Sequence, residues 1–161
     1  MIEIVQLTTN IVGTIAVVLT VVYLAVQVRA STKATYSQTY QTAVAALGDM
    51  AAIVGESKEK SRLYADGMAD PDKLDHDEYL QFAYLGISLF RKYENAYFQY
   101  KSGMIDNEFW DGHRDNLLWF FHRPGTQRWG KERRLGFSKS FRDYLESTAQ
   151  SDMAEQEDRY V

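Results

Sequence analysis

The densest run of polar groups set among aromatic residues is FRKYENAYFQYKSG, Phe90 to Gly103. Arg91 and Glu94 stand three apart, and Asn95 and Gln99 four apart, so each pair can meet on a helix surface. A carboxyl such as Glu94 beside aromatic rings is a candidate general base, because burial raises its pKa. The plainer reading makes Arg91, Glu94, Asn95 and Gln99 a polar helix–helix tie. In it Arg91 and Glu94 form a local ion pair and Asn95 joins neighbouring helices. Tyr93, Tyr97 and Tyr100 divide the same way, between a stacking platform for a ligand and a core stripe. The histidines are His76, His113 and His122, none in H-E-x-x-H or E-x-x-H spacing, and the last two are not spaced as a metal pair on one helix face. The chain has no cysteine. That removes disulfides, thiolate catalysis and thiolate-ligated metals together, and fits a reducing compartment. No G-x-S-x-G, P-loop or G-x-G-x-x-G run occurs. The residues therefore predict a protein that is not an enzyme and takes no cofactor or metal.

What must position these groups begins with IVGTIAVVLTVVYLAVQV, Ile11 to Val28, in which 11 of 18 residues are Ile, Val or Leu. From Ile4 to Val28 the chain runs 25 residues without Asp, Glu, Lys, Arg or His. About 20 residues of helix cross a hydrocarbon layer of roughly 30 Å. Each Leu, Ile or Val favours insertion by about 0.3–0.6 kcal/mol, enough together to outweigh scattered threonines and Gln27. A cleaved signal peptide fits poorly: the n-region holds Glu3 and no base, and VQVRAST lacks a small-residue cleavage site. A soluble core helix would be more broken by polar residues. The run predicts one transmembrane segment, residues 1–30. Arg29 and Lys33 follow it and only Glu3 precedes it. The positive-inside bias then puts the N-terminus outside and the C-terminal part in the cytoplasm.

The segment also has a face. Gln6, Asn10, Gly13, Val17, Thr20, Leu24, Gln27 and Ser31 follow one another at steps of four and three, and six of these eight are small or polar. Small residues let helix backbones approach, and amides hydrogen-bond across helices in lipid. Asn10, Gly13, Ala16, Thr20 and Gln27 are thus the expected oligomerisation residues. Two other readings stay open. The Asn10, Thr20 and Gln27 face can line a pore, although no intramembrane charge marks an ion path. The threonine hydroxyls can also bond their own helix and leave the stripe without a role.

Beyond Arg29 no proline occurs before Pro71. Tyr36, Tyr40, Ala43, Leu47, Met50 and Val54 keep the same stepping. A helix from Thr8 to Val54 would be about 70 Å long. A short helix over Lys58–Ala65 follows, ending near Gly67. Asp75 with Glu78 resembles a capping box, with Asp in place of Ser or Thr. It opens a helix carrying Tyr79, Ala83, Gly86, Phe90, Tyr93, Tyr97, Tyr100 and Met104 on one stripe, with Gly103 at its C-terminal end. Asp106 caps a further helix through Phe121, closed by Pro124 and Gly125. A shorter one covers Thr126–Arg134, and Ser138 caps the last. No strand alternation and no internal repeat is present. The expected fold is all-α: one N-terminal transmembrane helix continuing into a cytoplasmic bundle of four or five helices, residues 31–149, and an acidic flexible tail, 150–161.

Charge is divided unevenly. The chain holds 18 basic and 22 acidic groups. Glu3 and Arg29 cancel in the first segment, so the net charge of −4 falls on the rest. An acidic domain is a poor nucleic-acid binder, since phosphate neutralisation dominates that affinity. Residues 123–143 nevertheless carry +5, and Asp66–Glu78 carry −5. The basic block can touch anionic lipid headgroups, with Arg29, Lys33, Arg128, Arg133 and Arg134 as the contacts. Alternatively it pairs with the acidic run and leaves an internally neutralised surface.

The stretch FRKYENAYFQYKSGMIDNEFW behind one N-terminal span resembles a group of uncharacterised small bacterial single-span membrane proteins. The residues that carry the likeness are Phe90, Arg91, Glu94, Asn95, Ala96, Gln99, Tyr100, Gly103, Asp106 and Trp110. Gly136, Phe137, Ser138 and Phe141 of GFSKSFRDYL add to it. The resemblance implies a bacterial inner-membrane protein with a helical cytoplasmic domain, and it adds no catalytic residue. Two functions follow from the residues. The first is a non-enzymatic, membrane-anchored assembly protein, as a homo-oligomer or an accessory subunit of a larger membrane complex. The second is a small oligomeric channel or transport-related protein. The expected partners are the lipid bilayer and further copies of the chain.

Overall fold

A computed structural model describes the backbone of residues 1–158, and all side chains among them except those of residue 5 and residues 149–158. Among the described residues the fold is all-helical. The elements are α1 (Ile2–Gly55), α2 (Lys58–Ala69), α3 (His76–Lys101), α4 (Asn107–Phe121), α5 (Pro124–Arg133) and α6 (Lys139–Asp158). Short 3-10 turns at Pro71–Lys73 and Arg134–Gly136 join α2 to α3 and α5 to α6. The expected acidic tail falls on residues whose side chains, and from 159 whose backbone, lie outside the described residues.

The chain divides into two compact units, Met1–Gln38 and Thr39 onward. In the first, every described side chain from Met1 to Thr35 is exposed. α1 is the one helix among the described residues that is long and apolar enough to cross a membrane, by length and composition.

Local chemistry explains where the helices of the second unit start and stop. The Asp75 carboxylate accepts from Glu78 N–H at 2.9 Å, and Glu78 returns the bond to Asp75 N–H at 3.1 Å. This is the capping box that the spacing predicts, and such a cap contributes about 0.5–2 kcal/mol. α3 ends at Ser102, and Gly103 follows with φ +70, a left-handed backbone that glycine adopts without strain. Asp106 caps α4 through Phe109 N–H at 2.8 Å. Pro124 then occupies the first turn of α5, where its missing N–H costs nothing.

Three boundaries differ from expectation: α1 begins at Ile2 and not Thr8, α5 begins at Pro124 and not Thr126, and the end of α2 is displaced. α2 continues past Gly67 to Ala69 instead of stopping near Ala65. Gly67 is there for packing and not as a terminator, because a Cβ on it would run into the Phe82 ring. The stop comes at Asp70, which accepts from Asp72 N–H at 3.2 Å and precedes Pro71.

The core of this unit is aromatic. Phe82, Leu89, Phe90, Tyr93 and Tyr97 of α3 pack with Trp110 and Leu117 of α4, Trp129 of α5, and Phe141 and Leu145 of α6. Met50 joins this cluster, while Ala43 packs with Ile105 and Phe109. Tyr40 meets Phe109 edge-on at 5.0 Å. α2 and α5 approach so closely that a Cβ at Gly125 would overlap the Gly67 carbonyl oxygen. Backbone cannot yield there as a flexible side chain can. Gly125→Ala is therefore expected to destabilise the domain by about 1–3 kcal/mol, the usual cost of overpacking. Gly130→Ala on the same helix meets nothing within 4 Å, and should be neutral or stabilising by up to about 1 kcal/mol. Thermal melts of the two variants check this, and equal melting would remove the close contact from the account.

Candidate functional site

The polar cluster singled out by the sequence lies at the junction of α3 with the turn before α6. Arg91 and Glu94 form an ion pair at 2.6 Å. Both then reach across the chain. Arg91 donates to the Gly136 carbonyl oxygen, and its guanidinium sits over the Phe137 ring at 4.7 Å. The other oxygen of Glu94 accepts from Ser138 N–H at 2.6 Å. Ser138 is the residue before α6, and its own carbonyl accepts from Arg142 N–H at 3.1 Å. One carboxylate thus satisfies a backbone donor at the start of α6, where a negative charge also meets the positive end of the helix.

The chemistry of Glu94 follows from these contacts. Partial burial pushes its carboxyl pKa up, but the Ser138 backbone and hydroxyl, with Arg91, outweigh it and leave the carboxyl below its ordinary value. A base catalyst in an aromatic pocket would be shifted the other way. Glu94 is therefore held as a carboxylate that clamps the 136–138 turn. The side chains of Asn95 and Gln99 make no hydrogen bond among the described residues, and Asn95 is exposed.

The tyrosine stripe is core. Tyr93 and Tyr97 are buried. Tyr97 stacks on Tyr144 at 4.8 Å and touches Trp110 and Phe141 at 5.6 and 5.7 Å, while Tyr100 stacks on Trp110 at 5.3 Å. Burial pushes the Tyr93 hydroxyl up to about 12 and raises that of Tyr64 further.

The charged blocks meet in part. Arg128 of the basic stretch pairs with Asp72 of the acidic run at 2.6 Å. Glu132, beside it, accepts from the Tyr79 hydroxyl at 2.9 Å. Arg134 pairs with Glu146 at 3.1 Å, and Lys139 with Asp143 at 2.6 Å. Arg62 takes Glu78 at 2.5 Å and Asp66 at 3.4 Å. Arg123 stacks over Trp119 at 3.8 Å. Of the residues proposed for lipid headgroups, Arg29, Lys33 and Arg133 make no ion pair among the described residues.

Along α1 the stripe residues Asn10, Gly13, Ala16, Thr20 and Gln27 are all exposed. Thr20 donates to the Ala16 carbonyl and Thr14 to that of Asn10, each at 2.8 Å. The hydroxyls are thereby satisfied within their own helix, and each keeps accepting capacity. The side-chain amides of Asn10 and Gln27 make no hydrogen bond among the described residues. A Cβ at Gly13 meets nothing within 4 Å.

A cavity of ≈ 380 Å³ opens beside the clamp, walled by Phe90, Phe121, Trp129, Phe137 and Leu145, with Lys131, Arg134, Arg142 and Glu146 also lining it. Its walls come from α3, α4, α5 and α6 together, so no single stretch signals it. No family model matches this chain, and no curated protein and no solved structure does.

The clamp gives a pH prediction. Glu94 has a folded pKa below its unfolded value, so its contribution is complete above the unfolded pKa and is lost as pH falls through the folded one. Glu94→Gln should lower stability at neutral pH by about 1–3 kcal/mol, the range for hydrogen bonds to a charged group. The gap to wild type should hold above the ordinary carboxyl value of about 4.3 and close only as pH falls below it, through the lowered folded value. Chemical denaturation across pH checks both statements. A gap that widens on acidification would contradict the assignment.

Proposed function

We propose that the chain is a non-enzymatic, membrane-anchored assembly protein of a bacterial inner membrane. It forms a homo-oligomer or serves as an accessory subunit of a larger membrane complex. The observation that carries the reading is the helical run Ile4–Val28, free of charge and with every described side chain exposed. Apolar surface of that length is unstable in water and matched to a bilayer. The Arg29 and Lys33 flank favours the helical domain on the cytoplasmic side. A C-terminal alkaline phosphatase fusion should accordingly be inactive. Activity of that fusion in intact cells would reverse the orientation.

Self-association is supported by the same helix. An amide left unpaired in hydrocarbon costs roughly 2–7 kcal/mol. Asn10 has no partner within its own chain among the described residues, and Gly13 and Ala16 leave room for a second backbone beside it. The likeness to small bacterial single-span proteins is consistent with this reading and assigns no reaction. A pore along the Asn10, Thr20 and Gln27 face is the competing arrangement of the same oligomer.

Gly13→Leu and Thr20→Leu should weaken the oligomer while leaving insertion intact, because leucine keeps the segment apolar and separates the helices. Val18→Leu, off the stripe, is the control and should be neutral. Mass measurement of the intact assembly in nanodiscs reads the outcome. Equal masses for all three would move the interface to the helical domain, where Tyr84 and Phe98 of α3 are exposed. Bilayer recordings divide the alternatives: single-channel conductance lost in Thr20→Leu supports the pore, and no conductance from wild type removes it.

A further inference from the structure

We infer that the cavity walled by α3, α4, α5 and α6 binds a small amphipathic carboxylate, an apolar body carrying one acidic head. Its ≈ 380 Å³ falls within the range of roughly 300–1,000 Å³ in which small-molecule sites are found. The body of the site is aromatic. Phe90 lies 5.3 Å from Trp129 and 6.2 Å from Phe137, ring centre to ring centre. Such walls accept a flat or short-chain apolar group by dispersion and burial.

One observation asks for a hydrogen-bond acceptor and a second for negative charge. The Trp129 indole N–H is buried and has no acceptor among the described residues. A buried donor left unpaired costs about 1–3 kcal/mol, and a small turn of the indole that lines the cavity would bring it to a ligand oxygen there. The second is the charge of the lining. Lys131, Arg134 and Arg142 stand against Glu146 alone. Arg134 is already paired with Glu146, and Arg142 gives one N–H to the Phe137 carbonyl at 3.1 Å. Lys131 has no acidic partner among the described residues and is exposed. Lys131 is therefore open to a carboxylate head, beside Arg142, which has no ion pair among the described residues either. The site is independent of the membrane reading, since all its walls belong to the unit from Thr39 onward.

The structure also supplies a clean way to fill the cavity. Gly130 lines it, and a Cβ there meets nothing within 4 Å. Gly130→Leu therefore adds bulk at the cavity wall from a position where its Cβ meets no other atom. Isothermal titration of the full chain in phosphatidylcholine nanodiscs, with empty nanodiscs subtracted, is the test. The probes are 2-naphthoate and decanoate, with neutral 2-naphthamide as the control. Saturable heat is expected from at least one carboxylate, and which one binds separates an aromatic ligand from an acyl chain. Lys131→Glu should weaken that binding by about tenfold, the worth of one charge-assisted contact. Gly130→Leu should abolish it with unchanged melting. The inference is overturned if neither carboxylate binds, if 2-naphthamide binds as tightly as 2-naphthoate, or if either variant binds like wild type.

Discussion

Everything about this protein turns on an apolar helical surface that its own chain does not cover. Residues 4–28 carry no Asp, Glu, Lys, Arg or His, and none of the described ones is buried. Backbone hydrogen bonds inside α1 satisfy the main chain, which is the condition for entering hydrocarbon. The threonines meet the same condition by returning their hydroxyls to carbonyls four residues back. Water is the one surrounding that suits such a surface poorly. The amides of Asn10 and Gln27 set the remaining demand, for partners at the two ends of the run.

The helical domain solves a different problem, that of closing an aromatic core with short elements. Its helices are fixed first by local caps and then by a few long-range polar contacts. The Arg91–Glu94 pair is the clearest of these. It reads as an exposed ion pair of small worth, yet each partner also holds backbone of the 136–138 turn. That turn carries Phe137, which closes one wall of the cavity. A polar contact chosen for architecture therefore shapes a space with ligand-like dimensions.

Much of this was legible in the sequence, and the division has a physical basis. The Asp75–Glu78 box, the Asp106 cap and the Gly103 terminus depend on residues within a few positions of one another, so spacing reveals them. The tyrosine stripe was legible as a core face because its period is that of a helix. Gly67 misled because a packing glycine and a terminating glycine look alike until Phe82 is placed against it. Glu94 was legible as the partner of Arg91 but not of Ser138, which only the tertiary fold brings within reach. The cavity was invisible for the same reason: Trp129, Lys131 and Phe137 acquire meaning only when α3 and α6 stand beside them. Arg128 and Asp72 show that the two charge blocks meet, whereas composition alone left their pairing open.

The chain has no cysteine, so single introduced thiols report on their surroundings without interference, and this gives the most direct test of the membrane claim. Val12→Cys, Val18→Cys and Val22→Cys would be probed in cells with a membrane-impermeant maleimide, beside Ser102→Cys in the helical domain. The account requires the three valine positions to resist labelling in intact cells and in lysed membranes alike, and to react after denaturation in detergent. It requires Ser102→Cys to react only once the cells are opened. Free labelling of Val18→Cys in lysed membranes would mean that water reaches the middle of the run, and the membrane-spanning account would fail.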